Sequence, residues 1–259
     1  MPSIDLRAVR FGYKNARQKI EALHGVDLSI ADGEFVCVIG QSGCGKSTLL
    51  RLLAGLDMPD GGEISIGGQS VEGPGADRMI VFQDYALFPW LTAEKNISFA
   101  LSRAKRVPRA EAKRTAAEYL QRVGMSKAAD YYPCQLSGGM KQRVAIARAL
   151  AMDTDILLLD EPFGALDAKI RASLQELLLS LWTNDGGKKK TVVFVTHDIN
   201  EALILADRIV YMQPGKIAGE LRIDIPRPRR NVESSEEFGA YRRTLMQLFE
   251  GEDTEVAEL

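Results

Sequence analysis

At 259 residues the chain is long enough for one large α/β domain, or for a core that carries an inserted subdomain. Lysine and arginine number 33 against 35 acids, a formal charge of −2, and that balance without a basic stripe argues against a nucleic-acid partner. The longest apolar runs, such as Ile156 to Leu159, fall far short of the ~20 residues needed to span a bilayer, so membrane contact is expected only through a partner.

Asp5, Arg7 and Arg10 interrupt the first eleven residues where an export signal needs an apolar stretch. Cys37, Cys44 and Cys134 show no paired spacing, which fits reduced thiols in a cytoplasmic chain. Val26, Leu28 and Ile30 alternate with Asp27 and Ser29 ahead of an Asp32-Gly33 turn, the pattern of a half-buried strand. Glu34 to Ile39 (EFVCVI) is nearly continuous in apolar residues, as expected of a strand buried on both faces. It runs into a glycine-rich loop and a helix expected over Ser47 to Ala54, which Gly55 closes. Pro59 to Gly62 and Gly67-Gly68 bracket a further strand, Glu63 to Ile66.

From about Tyr85 to Leu150 the pattern is mainly helical, with Ala112, Ala116, Leu120 and Val123 at helical spacing ahead of Gly124. Strand–helix alternation then returns: Ile156 to Leu159 as a buried strand, Leu174, Leu177, Leu178, Leu181 and Trp182 on an amphipathic helix, and Thr191 to Thr196 as another buried strand. Asp198 and Glu201 resemble a helix capping pair. Pro226 to Arg230 (PRPRR) reads as a linker, followed by a short helix with Phe238, Tyr241, Leu245, Leu248 and Phe249 on an uneven apolar face, then an acidic tail. Parallel strands joined by helical crossovers imply a doubly wound α/β core with an inserted helical subdomain.

Two stretches carry chemistry. Gly40, Gln41, Ser42, Gly43, Cys44, Gly45, Lys46, Ser47 and Thr48 read GQSGCGKST and fit the phosphate-binding P-loop. Its glycines let backbone N–H groups turn inward, and the helix that follows adds positive potential. Lys46 is placed to bridge the β- and γ-phosphates, Ser47 to bind Mg²⁺ and Thr48 to meet an inner phosphate. Asp160-Glu161 ends the ILLL strand, where parallel sheets present ligand sites. Asp160 is expected to hold Mg²⁺ through water, and Glu161 to orient and deprotonate the attacking water.

Leu136 to Arg143 reads LSGGMKQR and opens a helix; with it the chain resembles the ABC ATPase family. The resemblance runs from about residue 3 to 225. It implies a P-loop NTPase (RecA-like, ABC ATPase) core with an N-terminal antiparallel β region and a helical subdomain at about 85–150, all in one domain over 1–225 ahead of a separate C-terminal segment, 226–259. It also implies two chains paired head to tail, with Ser137, Gly138 and Gly139 of one closing on the ATP held by the other's P-loop. Gln83 after the strand Met79 to Phe82 matches the glutamine that senses Mg²⁺ and water. Gly164, Ala165, Leu166 and Asp167 match the loop that crosses the dimer face, and His197 matches the histidine that contacts the γ-phosphate. Tyr13 is the candidate to stack on adenine, with Phe11 as the alternative.

Gly73-Pro74-Gly75, Asp77-Arg78 and VFQDYALFPW (Val81 to Trp90) are similar to the nitrate, sulfonate and taurine importer class, whose members also include carriers of bicarbonate and of pyrimidine precursors. The function so implied is that of an ATP-hydrolysing subunit on the cytoplasmic face of the membrane. Its expected partners are integral permease subunits and a periplasmic or lipid-anchored solute-binding protein. A soluble ABC ATPase of repair, translation or cofactor assembly is the rival, but neither a coiled-coil insertion nor a second ATPase unit is seen.

Overall fold

The computed structural model describes residues 2–14, 19–182, 189–229 and 232–256. Two sheets form its frame. An antiparallel four-stranded sheet, ordered β2-β1-β4-β5, is built from β1 (Ile4–Lys14), β2 (Lys19–Ile30), β4 (Gly61–Ile66) and the short β5 (Gln69–Ser70). The six-stranded sheet is ordered β10-β9-β3-β8-β7-β6. Its strands are β3 (Phe35–Gly40), β6 (Arg78–Val81), β7 (Ile156–Asp160), β8 (Thr191–Val195), β9 (Arg208–Gln213) and β10 (Lys216–Arg222). Five strands run parallel and β10 closes one edge antiparallel to β9.

The apolar runs of β3, β7 and β8 are buried at every position because both sheet faces are covered. Val36, Val38, Ile156, Leu158, Val193 and Val195 face the antiparallel sheet across α1 (Lys46–Leu53). Phe35, Cys37, Ile39, Leu157, Leu159, Val192 and Phe194 face the other way. They pack there against α4 (Gly138–Ala151), α5 (Ala168–Trp182) and α6 (Ile199–Leu205). The expected helical insertion is α2 (Ala93–Ala104), α3 (Arg109–Arg122) and α4, joined through Ala112, Ala116 and Leu120 as the spacing requires.

Three local expectations are corrected. Asp198 does cap α6, accepting from the amides of Asn200 and Glu201 at 2.9 and 3.2 Å. Glu201 does not reciprocate: it is buried and accepts from Gln175 Nε2 at 3.1 Å. The segment read as a linker is instead anchored. Arg229, only 6% exposed, donates to the carbonyls of Leu203 and Ala206 at the end of α6 and of Ile223 and Ile225. Those are carbonyls that a helix end and a strand exit leave unpaired. The helix beyond it, α7 (Glu236–Val256), has 21 residues rather than a few turns, and Phe238 and Leu245 enter the main core. Arg230, the side chain of Phe249 and the last three residues of the acidic tail lie outside the description.

Candidate functional site

Gly40 ends β3, Gln83 follows β6, Asp160 ends β7 and His197 follows β8. Because these strands are parallel neighbours, four sequence-predicted residues meet at one edge of the sheet. The P-loop there takes a backbone that only glycine suits: φ is +84° at Gly43 and +111° at Gly45. A Cβ on Gly45 would stand 2.9 Å from Ala22 O and from Leu23 Cδ2 of β2, so the loop is pressed against the neighbouring sheet. Lys46 Nζ donates to Gly40 O and Gln41 O, both at 2.8 Å, which holds the ammonium inside its own loop.

Asp160 lies 7% exposed with its carboxylate hydrogen-bonded by Ser47. Burial pushes its carboxyl above the usual range, the Ser47 bond lowers it, Glu161 raises it further and Lys46 lowers it. Among the described residues no group of three or more His, Cys, Asp or Glu converges as a metal cage. A magnesium ion that arrives with a nucleotide needs only one or two protein oxygens besides the phosphates. The Ser47 hydroxyl and the Asp160 carboxylate, already adjacent, fit that requirement.

Glu161 Oε2 receives Gln83 Nε2 at 3.3 Å and lies 3.3 Å from His197 Nδ1. One oxygen of Glu161 thus gathers Gln83 and His197, the two residues predicted to act with it on the γ-phosphate and its water. Glu161 also has φ +45°, an unfavourable backbone for a residue with a Cβ. Arg171 of α5 pairs with Asp198 at 3.5 Å and donates to Leu166 O, so the loop of Gly164 to Asp167 is tied to the segment that bears His197.

The helix of LSGGMKQR is α4. Ser137 caps it by accepting from Met140 N at 3.3 Å, and the amides of Gly138 and Gly139 precede the first intrahelical bond. Among the described residues no hydrogen bond or ion pair joins Ser137, Gly138 or Gly139 to the P-loop of the same chain. Tyr13 OH lies 3.0 Å from Thr48 Oγ1, which sets the ring beside the start of α1 with 44% of it exposed. Phe11 meets it edge-on but packs against the inner core.

Several polar residues in this region escaped sequence reasoning. Gln142, 2% exposed, donates to Glu161 O at 3.1 Å and accepts from Ala165 N at 3.2 Å. Arg148, also on α4 and 6% exposed, donates to Ala86 O at 2.8 Å and Tyr85 O at 3.2 Å; both acceptors lie in the loop after Gln83 and have positive φ. Fully buried Asn96 grips the next stretch, accepting from Phe88 N and donating to Phe88 O, Leu91 O and Thr92 O. The available signal was a polar residue on an otherwise apolar helix face, as Gln142 and Arg148 are among Val144, Ala145, Ile146, Ala147 and Ala149. Above Asn96 the rings of Phe88, Trp90 and Phe99 cluster at 5.5 and 5.6 Å, with Trp90 70% exposed. No described helix is long and apolar enough to cross a membrane.

A family model described as ABC transporter matches residues 23–164. Among curated relatives, a bicarbonate transport ATP-binding protein CmpC of Synechococcus elongatus is 53% identical over 82% of this chain, which spans only 32% of that protein. The first curated relatives are of this kind, about three times longer than the stretch they share with this chain. Two others match over most of their own length. CmpD of the same organism, named likewise for bicarbonate transport, is 48% identical over 84% of this chain and 78% of its own. An uncharacterized ABC transporter ATP-binding protein of Methanocaldococcus jannaschii is 47% identical over 90% and 86%. Among solved structures, the dimeric post-hydrolysis state of the ATP-binding cassette MJ0796 bound to ADP and Pi superposes with a TM-score of 0.79. It is 38% identical and covers 85% of this chain and 98% of its own. With the P-loop, the acidic strand end and the signature helix assembled on this frame, the chain belongs to the ABC transporter family.

Proposed function

We propose that this chain drives an importer of a small anion, of the class that spans bicarbonate, nitrate, sulfonates and taurine. It would work as a pair of copies on the cytoplasmic side of integral permease subunits, with a periplasmic or lipid-anchored solute-binding protein delivering the solute. The observation that carries the reading is the gathering of Gln83 and His197 on one oxygen of Glu161, beside the P-loop and Asp160. The named activities of CmpC and CmpD support the solute class.

In this mechanism Lys46 leaves Gly40 O and Gln41 O to bind the β- and γ-phosphates, an exchange of neutral for charge-assisted hydrogen bonds. Ser47 and Asp160 would hold a magnesium ion, which would neutralise phosphate charge there. Glu161 accepts the proton of the attacking water, Gln83 orients that water, and His197 donates toward the γ-phosphate. Tyr13 stacks on the adenine, since its exposed ring stands beside Thr48 while the partly buried Phe11 packs against the core. Ser137, Gly138 and Gly139 of the second copy close over the γ-phosphate with their free amides. ATP thereby binds the closed pair more tightly than the open one, and its cleavage releases that preference. The Phe88–Trp90–Phe99 surface is the dock for a short cytoplasmic helix of the permease.

The test is uptake by vesicles that contain the co-expressed permease and binding protein. ATP-dependent uptake of labelled bicarbonate, nitrate or taurine that vanishes with the Glu161→Gln chain supports the reading. ATP hydrolysis that is indifferent to the permease, with uptake of none of these anions, would favour the soluble ATPase instead.

A further inference from the structure

Glu161 presents a problem of backbone geometry as well as of chemistry. Its left-handed φ of +45° is unfavourable for a residue with a Cβ and persists only where the surroundings enforce it. Three bonds do so. Glu161 N donates to Val195 O of β8 at 3.0 Å, and Glu161 O accepts from Gly164 N at 3.3 Å and from Gln142 Nε2 at 3.1 Å. The first two come from the sheet and from the turn itself. The third comes from α4, the helix that Ser137 caps.

The Gln142 amide has one workable orientation: its N–H₂ must face the Glu161 carbonyl, and its oxygen must face the Ala165 N–H. It is 2% exposed, so water cannot stand in for either partner. The contact is reinforced next door, where a Cβ on Gly139 would lie 3.2 Å from Ala165 O and 3.3 Å from Leu166 Cδ2. Signature amides, Gln142, the carbonyl of Glu161 and the loop of Gly164 to Asp167 therefore form one packed unit at the N-terminal end of α4.

We propose that Gln142 is a positioning residue for hydrolysis: it ties the catalytic carboxylate of Glu161 to the seat of the signature helix. When Ser137 to Gly139 engage the nucleotide of the other copy, the tie carries that seating into the backbone that aims Glu161, so cleavage waits for closure. This rests on the reading of Glu161 as the base and of the site as shared between two copies. Gln142 touches neither nucleotide nor water itself.

The experiment compares Gln142→Met, which keeps the volume and loses both hydrogen bonds, with Gln142→Glu, which keeps the acceptor for Ala165 N and sets a carboxylate against Glu161 O. Each is made alone and combined with Glu161→Gln in the full-length chain. Thermal melting, binding of a fluorescent ATP analogue, kcat and KM are measured. Both single variants are expected to bind the analogue as wild type does and to lose about tenfold or more in kcat at unchanged KM, as for a misplaced catalytic group. The double variants should turn over no more slowly than Glu161→Gln alone, because a residue acting only through Glu161 has nothing left to position. A purely structural role predicts instead that losses track the melting temperature and multiply with Glu161→Gln, and that result overturns the proposal. Wild-type kcat in both single variants also overturns it. Normal turnover in Glu161→Gln would overturn the assignment of the base and the proposal with it, and the single-variant data tell that outcome apart.

Discussion

Trp90→Ala is the substitution that separates a docking surface from a structural anchor. The indole is 70% exposed, so less than a third of its surface is covered. Of the ~250 Å² that a tryptophan buries when fully enclosed, roughly 75 Å² is at stake, worth at most about 2 kcal/mol at ~25 cal/mol per Å². For a chain of this size that corresponds to a melting temperature lower by no more than about 8 °C. Phe88 is the poorer probe, because it is half-buried between Trp90 and Phe99. Asn96→Ala is the contrasting control: its side chain accepts from Phe88 N and shares its two amide hydrogens among the carbonyls of Phe88, Leu91 and Thr92, about three hydrogen bonds of about 1 kcal/mol net each. The Trp90→Ala chain is expected to fold and bind ATP, yet to fail in a pulldown with the permease and in solute uptake. Asn96→Ala is expected to lose stability and assembly together. A Trp90→Ala chain that melts far below this bound and no longer binds ATP would show the ring to be an anchor, and unchanged assembly and uptake would place the dock elsewhere.

Two further outcomes follow from the site. Glu161→Gln, which keeps size and hydrogen bonding but cannot take a proton, is expected to bind ATP while turnover falls by ~10²–10⁴, whereas Lys46→Ala weakens nucleotide binding itself; titration and steady-state turnover separate the two. Burial raises the Glu201 carboxyl above its ordinary 4.5, against the lowering bonds from Thr196 and Gln175. A raised folded value means that the stability tied to this group is complete below the unfolded value and is lost as pH climbs through the folded one. The melting temperature of Glu201→Gln should therefore gain on wild type from about pH 4 to pH 7, and a flat or falling difference would contradict burial as the cause.

What could be read from the residues was what leaves a local signature. The runs of β3, β7 and β8 announce burial on both faces, and the P-loop glycines announce the backbone that Gly43 and Gly45 adopt. The placing of Asp160 and His197 at strand ends followed from the same alternation. What could not be read depends on distant parts of the chain. Gln142 stands out as a polar residue beside the apolar run of α4, but nothing local says that its partners are Glu161 O and Ala165 N. Arg229 stands in PRPRR, a composition that suggests a linker, and is buried because four carbonyls of α6 and the segment after β10 converge on it. Glu201 has the spacing of a capping partner, but Gln175 of α5 draws its carboxylate inward.

The composite site is the claim on which the mechanism turns, and nucleotide trapping in mixed dimers tests it most directly. Lys46→Ala spoils the phosphate loop and Ser137→Arg spoils the signature, so neither homodimer should trap nucleotide. If each site takes its lysine from one copy and its serine from the other, a heterodimer of the two variants holds one intact site and one that carries both defects. Random pairing then restores trapping to roughly a quarter of the wild-type level, since half the dimers are mixed and each has one working site of two. No trapping in a mixture whose heterodimers are verified by distinct affinity tags would contradict the head-to-tail pair.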